Sequence, residues 1–171
     1  MFIIQKITQS YDSEQDRIGL TVENTRNQVL VLWLTQRLAN QMAAALVKWL
    51  DEEVKPSASE QTPPSNVQAC KQSVAQAKMV RGKPVDRAAA KGQVLLNTVE
   101  LVRGPKGYTL IFKWGSDGAA RMMLTPTRLR QLLIILYRQF DKAGWSKHVW
   151  PEWFAIENER GSPSTMRSRL H

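Results

Sequence analysis

A pattern that returns after 90 residues constrains this chain more than any other feature of it. Ile18-Gly19-Leu20-Thr21-Val22 falls on Tyr108-Thr109-Leu110-Ile111-Phe112, and Leu34-Thr35 falls on Leu124-Thr125, with no gap between the two matches. The same offset brings the turn-rich stretches 24–27 and 114–117 into register. A helical template follows each match. Ala39, Met42, Ala43, Leu46 and Leu50 correspond to Leu129, Leu132, Leu133, Leu136 and Phe140, a spacing that lays one apolar stripe along a helix. Thr35 and Thr125 are matching N-cap residues, and Pro126 suits the first helical position. Upstream, residues 3–7 match 95–99 at a spacing of 92. The first connection is therefore two residues shorter in the second copy, where a compact turn at 103–107 replaces the polar run 11–16.

Each copy reads strand, strand, strand, helix. Three strands and one helix bury too little apolar surface to stand alone, so the copies are expected to pack on each other. The expected fold is α+β, with two tandem β-β-β-α units at residues 1–53 and 93–145. They would form a pseudo-symmetric pair of antiparallel sheets carrying one helix each. The run 29–34 is apolar at every position and reads as a central strand buried on both faces. The second helix, with Leu132, Leu133, Ile134, Ile135, Leu136 and Tyr137 in succession, must bury more than one face.

Residues 54–92 read as a basic linker. Its proline-bearing start, 54–64, is expected to be flexible. Ser65 then caps a short helix over 65–79 with Val67, Cys70, Val74 and Ala77 as its apolar stripe, and 78–87 forms a basic loop. After the second unit, residues 146–171 comprise a segment dense in tryptophan and a tail, 155–171, expected to be disordered.

Charge is spread unevenly over these parts. The first unit holds 5 basic and 7 acidic residues, the linker 7 and 2, the second unit 8 and 3, and the C-terminal segment 4 and 3, within a net charge of +9. Clustered positive charge focuses potential and favours a polyanionic partner.

Catalytic signatures are missing. Cys70 is the only cysteine, and His148 and His171 are the only histidines, so a disulfide and a Cys- or His-rich metal centre are excluded. No phosphate-binding loop, dinucleotide fingerprint, zinc-protease motif or nucleophile elbow occurs. No cofactor is expected. Cys70 and His148 lack local activating groups, and the acid pairs Glu52-Glu53 and Glu157-Glu159 lie at exposed-looking ends. No apolar run is long enough to span a bilayer and no secretory signal is visible, so a soluble cytoplasmic protein is the expectation.

Two kinds of partner remain, and both imply a non-catalytic binding module. For DNA or RNA, the candidates are Trp114, Arg121, Arg128 and Arg130 in the second unit, with Lys78, Arg81, Lys83 and Arg87 in the linker. Tyr108 and Phe112 align with Ile18 and Val22 and are assigned to the core. Arg121 and Arg128 stand where the first unit has Val31 and Leu38, so charge has replaced apolar side chains there. In element order the chain resembles the single-stranded nucleic-acid-binding proteins of the PUR-repeat and Whirly class, with three strands per unit where those have four. For a protein partner or a homo-oligomer, the candidates are Trp145, Trp150, Trp153 and Phe154, together with the second helix.

Overall fold

The computed structural model describes residues 1–54 and 62–154; the linker start at 55–61 and the tail at 155–171, both expected to be flexible or disordered, lie outside the described residues. Strands β1 (Phe2–Asp12), β2 (Arg17–Asn24) and β3 (Val29–Thr35) form a meander leading into helix α1 (Gln36–Glu53). Helix α2 (Pro64–Ala77), a 3-10 turn (Arg87–Ala89) and strand β4 (Ala90–Leu95) follow. A second meander, β5 (Thr98–Gly104), β6 (Gly107–Trp114) and β7 (Gly118–Leu124), leads into helix α3 (Pro126–Ala143).

Strand register repeats at the offset seen in the sequence. Ile18 pairs with Leu34 as Tyr108 pairs with Leu124, and Ile7 pairs with Val22 as Val99 pairs with Phe112. Thr35 and Thr125 cap α1 and α3 alike, their hydroxyls accepting from the amides of Leu38 (3.3 Å) and Arg128 (3.2 Å). The two-residue turn between β5 and β6 depends on Gly107 at φ 152°, where an added Cβ would lie 2.3 Å from the Leu124 carbonyl oxygen.

The two antiparallel sheets expected from the sequence are instead one mixed sheet of seven strands, in the order β4-β3-β2-β1-β7-β6-β5. The first strand of each half is longer than the hairpin it serves, and its surplus crosses to the other half. Phe2 and Ile3 pair in parallel with Ala120 and Arg121 before β1 turns to β2, and β4 pairs in parallel with β3 before the chain continues as β5 along β6. Only Leu96 and Asn97 separate β4 from β5, and their amides donate to Trp33 O and Lys113 O, each at 3.0 Å. One run of chain thus joins the two ends of the strand order. The expected unit boundary at 92/93 falls inside β4, because 90–92 already belong to the sheet. β3 is paired on both sides and largely buried on both faces, while the middle of the order is occupied by β1.

A single core unites both halves. Ile18, Leu20 and Val22 lie with Tyr108, Leu110 and Phe112 on the face that carries α1 and α3, and all belong to one buried cluster. Each helix also reaches the other half. Gln139 of α3 accepts from the Tyr11 amide (3.0 Å) and Gln9 donates to Leu132 O (3.1 Å), tying α3 to β1. At the end of α1, Trp49 stacks on Tyr108 at 5.5 Å, and Glu52 meets Arg103 of β5 at 3.2 Å.

The aromatic segment after α3 is fastened across the halves as well. Trp145 Nε1 donates to Asp16 Oδ1 at 2.9 Å, and the Tyr11 hydroxyl donates to the same oxygen at 2.8 Å. Those bonds, led by that of Trp145, hold the Asp16 carboxyl below its usual value of 3.8. A carboxyl lowered in the fold stabilises fully above its unfolded value, and that contribution disappears as pH falls through the lowered one. Acid titration followed by tryptophan fluorescence is therefore expected to show a transition below pH 3.8. Asp16→Asn, which keeps an acceptor but cannot titrate, should remove it, and an unchanged profile would refute the assignment.

Helix α2 docks by the face opposite to the one its sequence marks. Gln68, Gln72 and Ala75 are buried, while Cys70 and Val74 are exposed, and the helix starts at Pro64 rather than after a Ser65 cap. Arg130 is the cause.

Candidate nucleic-acid interface

Arg130 projects from α3 and is only 4% exposed. Its guanidinium donates to Gln68 Oε1 (2.7 Å) and Gln72 Oε1 (3.2 Å) and lies 6.0 Å from the centre of the Trp153 ring. Gln72 returns a bond to Arg130 O at 3.3 Å, and Gln68 also donates to Leu50 O. Burial pushes the pKa of Arg130 below the usual guanidinium range, with Glu53 and Asp51 acting in opposition. A buried guanidinium needs oxygen acceptors, and the two amides supply them without a second charge. Arg130 is spent on internal structure, which corrects its place among surface cations.

The other arginines of the second half do not converge. Arg121 lies on the outer face of the sheet, paired across β6 with Ile111 and across β1 with Ile3. Trp114 is on the opposite face at the end of the hairpin, its indole over Gly118, where an added Cβ would lie 2.1 Å from Nε1. Arg128 is exposed in the first turn of α3. Trp114 is thus on the face opposite Arg121, and Arg130 is buried against α2.

Trp145, Trp150, Trp153 and Phe154 are all buried. Trp150 meets Tyr137 at 5.3 Å and Phe140 at 5.4 Å edge to face, and Phe154 at 4.8 Å. They cover the second apolar face of α3, so they are not the exposed anchors that a partner would need.

The linker cations are placed differently. After α2 the chain crosses the outer face of the first half as a strap. Val85 is buried and its amide donates to Thr8 Oγ1 at 2.9 Å. Asp86 caps the 3-10 turn by accepting from the Ala88 amide, and the turn packs on β3. Arg87 lies 4.6 Å over the Trp33 ring and 3.5 Å from Asp12 Oδ2. The strap thus lies over Thr8 and Trp33, on the face where Val29, Val31 and Trp33 are buried. Between its two ends, Lys78, Arg81 and Lys83 are exposed and form no ion pair among the described residues.

Sequence reasoning missed Trp33, Thr8 and Val85 as the seat of the strap, and Gln68 and Gln72 as that of Arg130. One signal was present: a strand apolar on both faces requires a cover, and Val85 is an aliphatic residue set between Lys83-Pro84 and Asp86-Arg87.

Among the described residues, no three His, Cys, Asp or Glu side chains gather as metal ligands, and no helix is long and apolar enough to cross a membrane. Comparison of the chain with protein-family models, with curated proteins and with solved structures returned no match.

Proposed function

We propose that this chain is an internally duplicated, non-catalytic module that binds nucleic acid, in the cytoplasm, through the basic strap laid over its first half. The observation that carries the reading is the set of three cations Lys78, Arg81 and Lys83, without an ion pair among the described residues, on a segment anchored at both ends, by α2 and by Val85 with Arg87. Elsewhere Lys6 is paired with Glu23, Arg103 with Glu52 and Glu53, Lys113 with Glu100, and Lys147 with Asp141. The other cations, such as Arg17, Arg37 and Arg128, form no ion pair among the described residues but are not gathered on one anchored segment. An anchored row of cations offers phosphates a preset spacing and loses less entropy on binding than a loose tail would.

Anisotropy titrations of the full chain with single- and double-stranded oligonucleotides at low salt test this. Micromolar or tighter binding that weakens steeply with salt is expected. Lys78→Ala, Arg81→Ala and Lys83→Ala combined should lower the salt slope on single strands by about 2, at roughly 0.7 per phosphate contact. Binding that is absent, or that the triple variant leaves unchanged, would refute the reading.

A further inference from the structure

The middle of the outer face of the sheet is covered in the first half, where Val31, Trp33, Gly19 and Thr21 are buried and only the ends of the cross-strand rows, Gln93, Leu95 and Ser10, are exposed. No described segment covers it in the second. In the first half its side chains form two rows across the strands, Gln93-Val31-Thr21-Thr8 and Leu95-Trp33-Gly19-Ser10. The strap lies on both, with the Val85 amide on Thr8 and Arg87 on Trp33. The second half repeats this geometry with the rows Ile3-Arg121-Ile111-Glu100 and Met123-Thr109-Val102. No described segment covers them: Met123 is 65% exposed, Val102 49% and Ile3 40%, whereas Trp33 and Val31, at the places of Met123 and Arg121, are 4% and 0% exposed. Met123 and Ile3 beside Arg121, with Val102 two strands away, lie on a surface whose counterpart in the first half seats a peptide segment. Exposed apolar side chains so grouped, with no described segment over them, are of the kind that marks interaction surfaces.

Arg121 indicates what the occupant carries. Its Nε is buried without a hydrogen-bond partner, and its only recorded polar contact is from Nη2 to Met123 Sδ at 3.7 Å. Glu100, at the other end of the row, is already paired with Lys113. A buried donor on a charged group calls for an acceptor, and a carboxylate fits a guanidinium in two-pronged fashion. The strap brings a cation to an aromatic ring in the first half; here the sheet presents the cation, so the complementary segment brings the anion. No aromatic side chain lies in these rows to stack a base, and the exposed aliphatics favour a peptide over a nucleic acid.

We infer that the outer face of β5-β6-β7 docks a short linear segment of a protein partner, in which an aliphatic residue seats over Met123, Val102 and Ile111 and a neighbouring Asp or Glu pairs with Arg121.

The full chain, immobilised, is to be panned against a random 12-residue peptide display library, and one enriched peptide synthesised for anisotropy. A consensus joining an aliphatic residue to a carboxylate is expected, with affinity falling at least tenfold in both Arg121→Glu and Met123→Lys. Repanning on Arg121→Glu should favour basic peptides. Circular dichroism checks folding, and Ile3→Ser, at an exposed site, gives a second variant should either of the others unfold. No consensus, or a peptide bound equally by every folded variant, overturns the inference. So does Met123→Lys or Ile3→Ser weakening oligonucleotide binding while leaving the peptide unaffected, since the face would then serve nucleic acid. The strap variants, which leave this face intact, keep failure of the nucleic-acid reading separate from failure here.

Discussion

Replacing Gln68 and Gln72 together by alanine is expected to destabilise the chain by about 3–5 kcal/mol, the range for leaving a buried charge without its partners. For a chain of this size each kcal/mol moves Tm by roughly 2–4 °C, so a fall of about 6–20 °C should be seen by calorimetry. The magnitude follows from where Arg130 sits. Its guanidinium is covered by α2 and the Trp153 ring, and its recorded side-chain acceptors are the two glutamine oxygens. Helix α2 contributes little apolar burial, Ala75 being its one fully buried apolar residue, so an alternative is open to the variant: α2 can lift and let water reach Arg130. Amide exchange distinguishes the outcomes, since lifting would remove protection from 64–77 while α3 keeps its own. Arg130→Met should cost less than the double glutamine change, because it removes the charge whose burial is the difficulty. Equal stability of wild type and double variant would show that the glutamines do not hold the helix.

Trp150→Ala is the second large effect, at about 3–5 kcal/mol for an aromatic side chain removed from a packed core. Trp150 joins Tyr137, Phe140 and Phe154, and Phe140 in turn meets Trp145 at 5.3 Å, so the truncation opens a void in the middle of a connected aromatic group. A partner anchor would behave otherwise: its truncation would weaken association and leave the chain's own stability nearly intact. Thermal melts of the isolated chain decide between the two, and a Tm within 1–2 °C of wild type would contradict the packing role.

These cases show where sequence was sufficient. The offset of 90 residues, the matching threonine caps and the shared apolar stripe determine much of the local order: the strands of the first meander and of β6 and β7, where α1 and α3 begin and which side of each is buried. All are decided within a few residues by backbone geometry and side-chain period. The same signals did not give β4, and the strand expected at 95–99 is broken at Leu96 and Asn97. Tyr108 and Phe112 could be assigned to the core because their partners in the first copy are Ile18 and Val22. The double-sided apolar run of β3 likewise announced that something must cover it.

Other features depend on contacts between residues far apart in the chain, and no local pattern carries them. Strand crossing between halves rests on Phe2 and Ile3 meeting Ala120 and Arg121, an encounter across more than half the chain. The docked face of α2 was misread because apolar spacing marks a buried side only when the neighbour is apolar; Arg130, 58 and 62 residues from its glutamine acceptors, reverses the preference. Arginine at position 130 looks like any surface cation until tertiary packing closes over it. Arginine at 121 has the reverse history. Sequence alone determined that it stands where the first copy has valine, and only the assembled sheet decided that it would lie among Ile3, Ile111 and Met123 on a face that no described segment covers, because the strap over the other half leaves none of its length for this one.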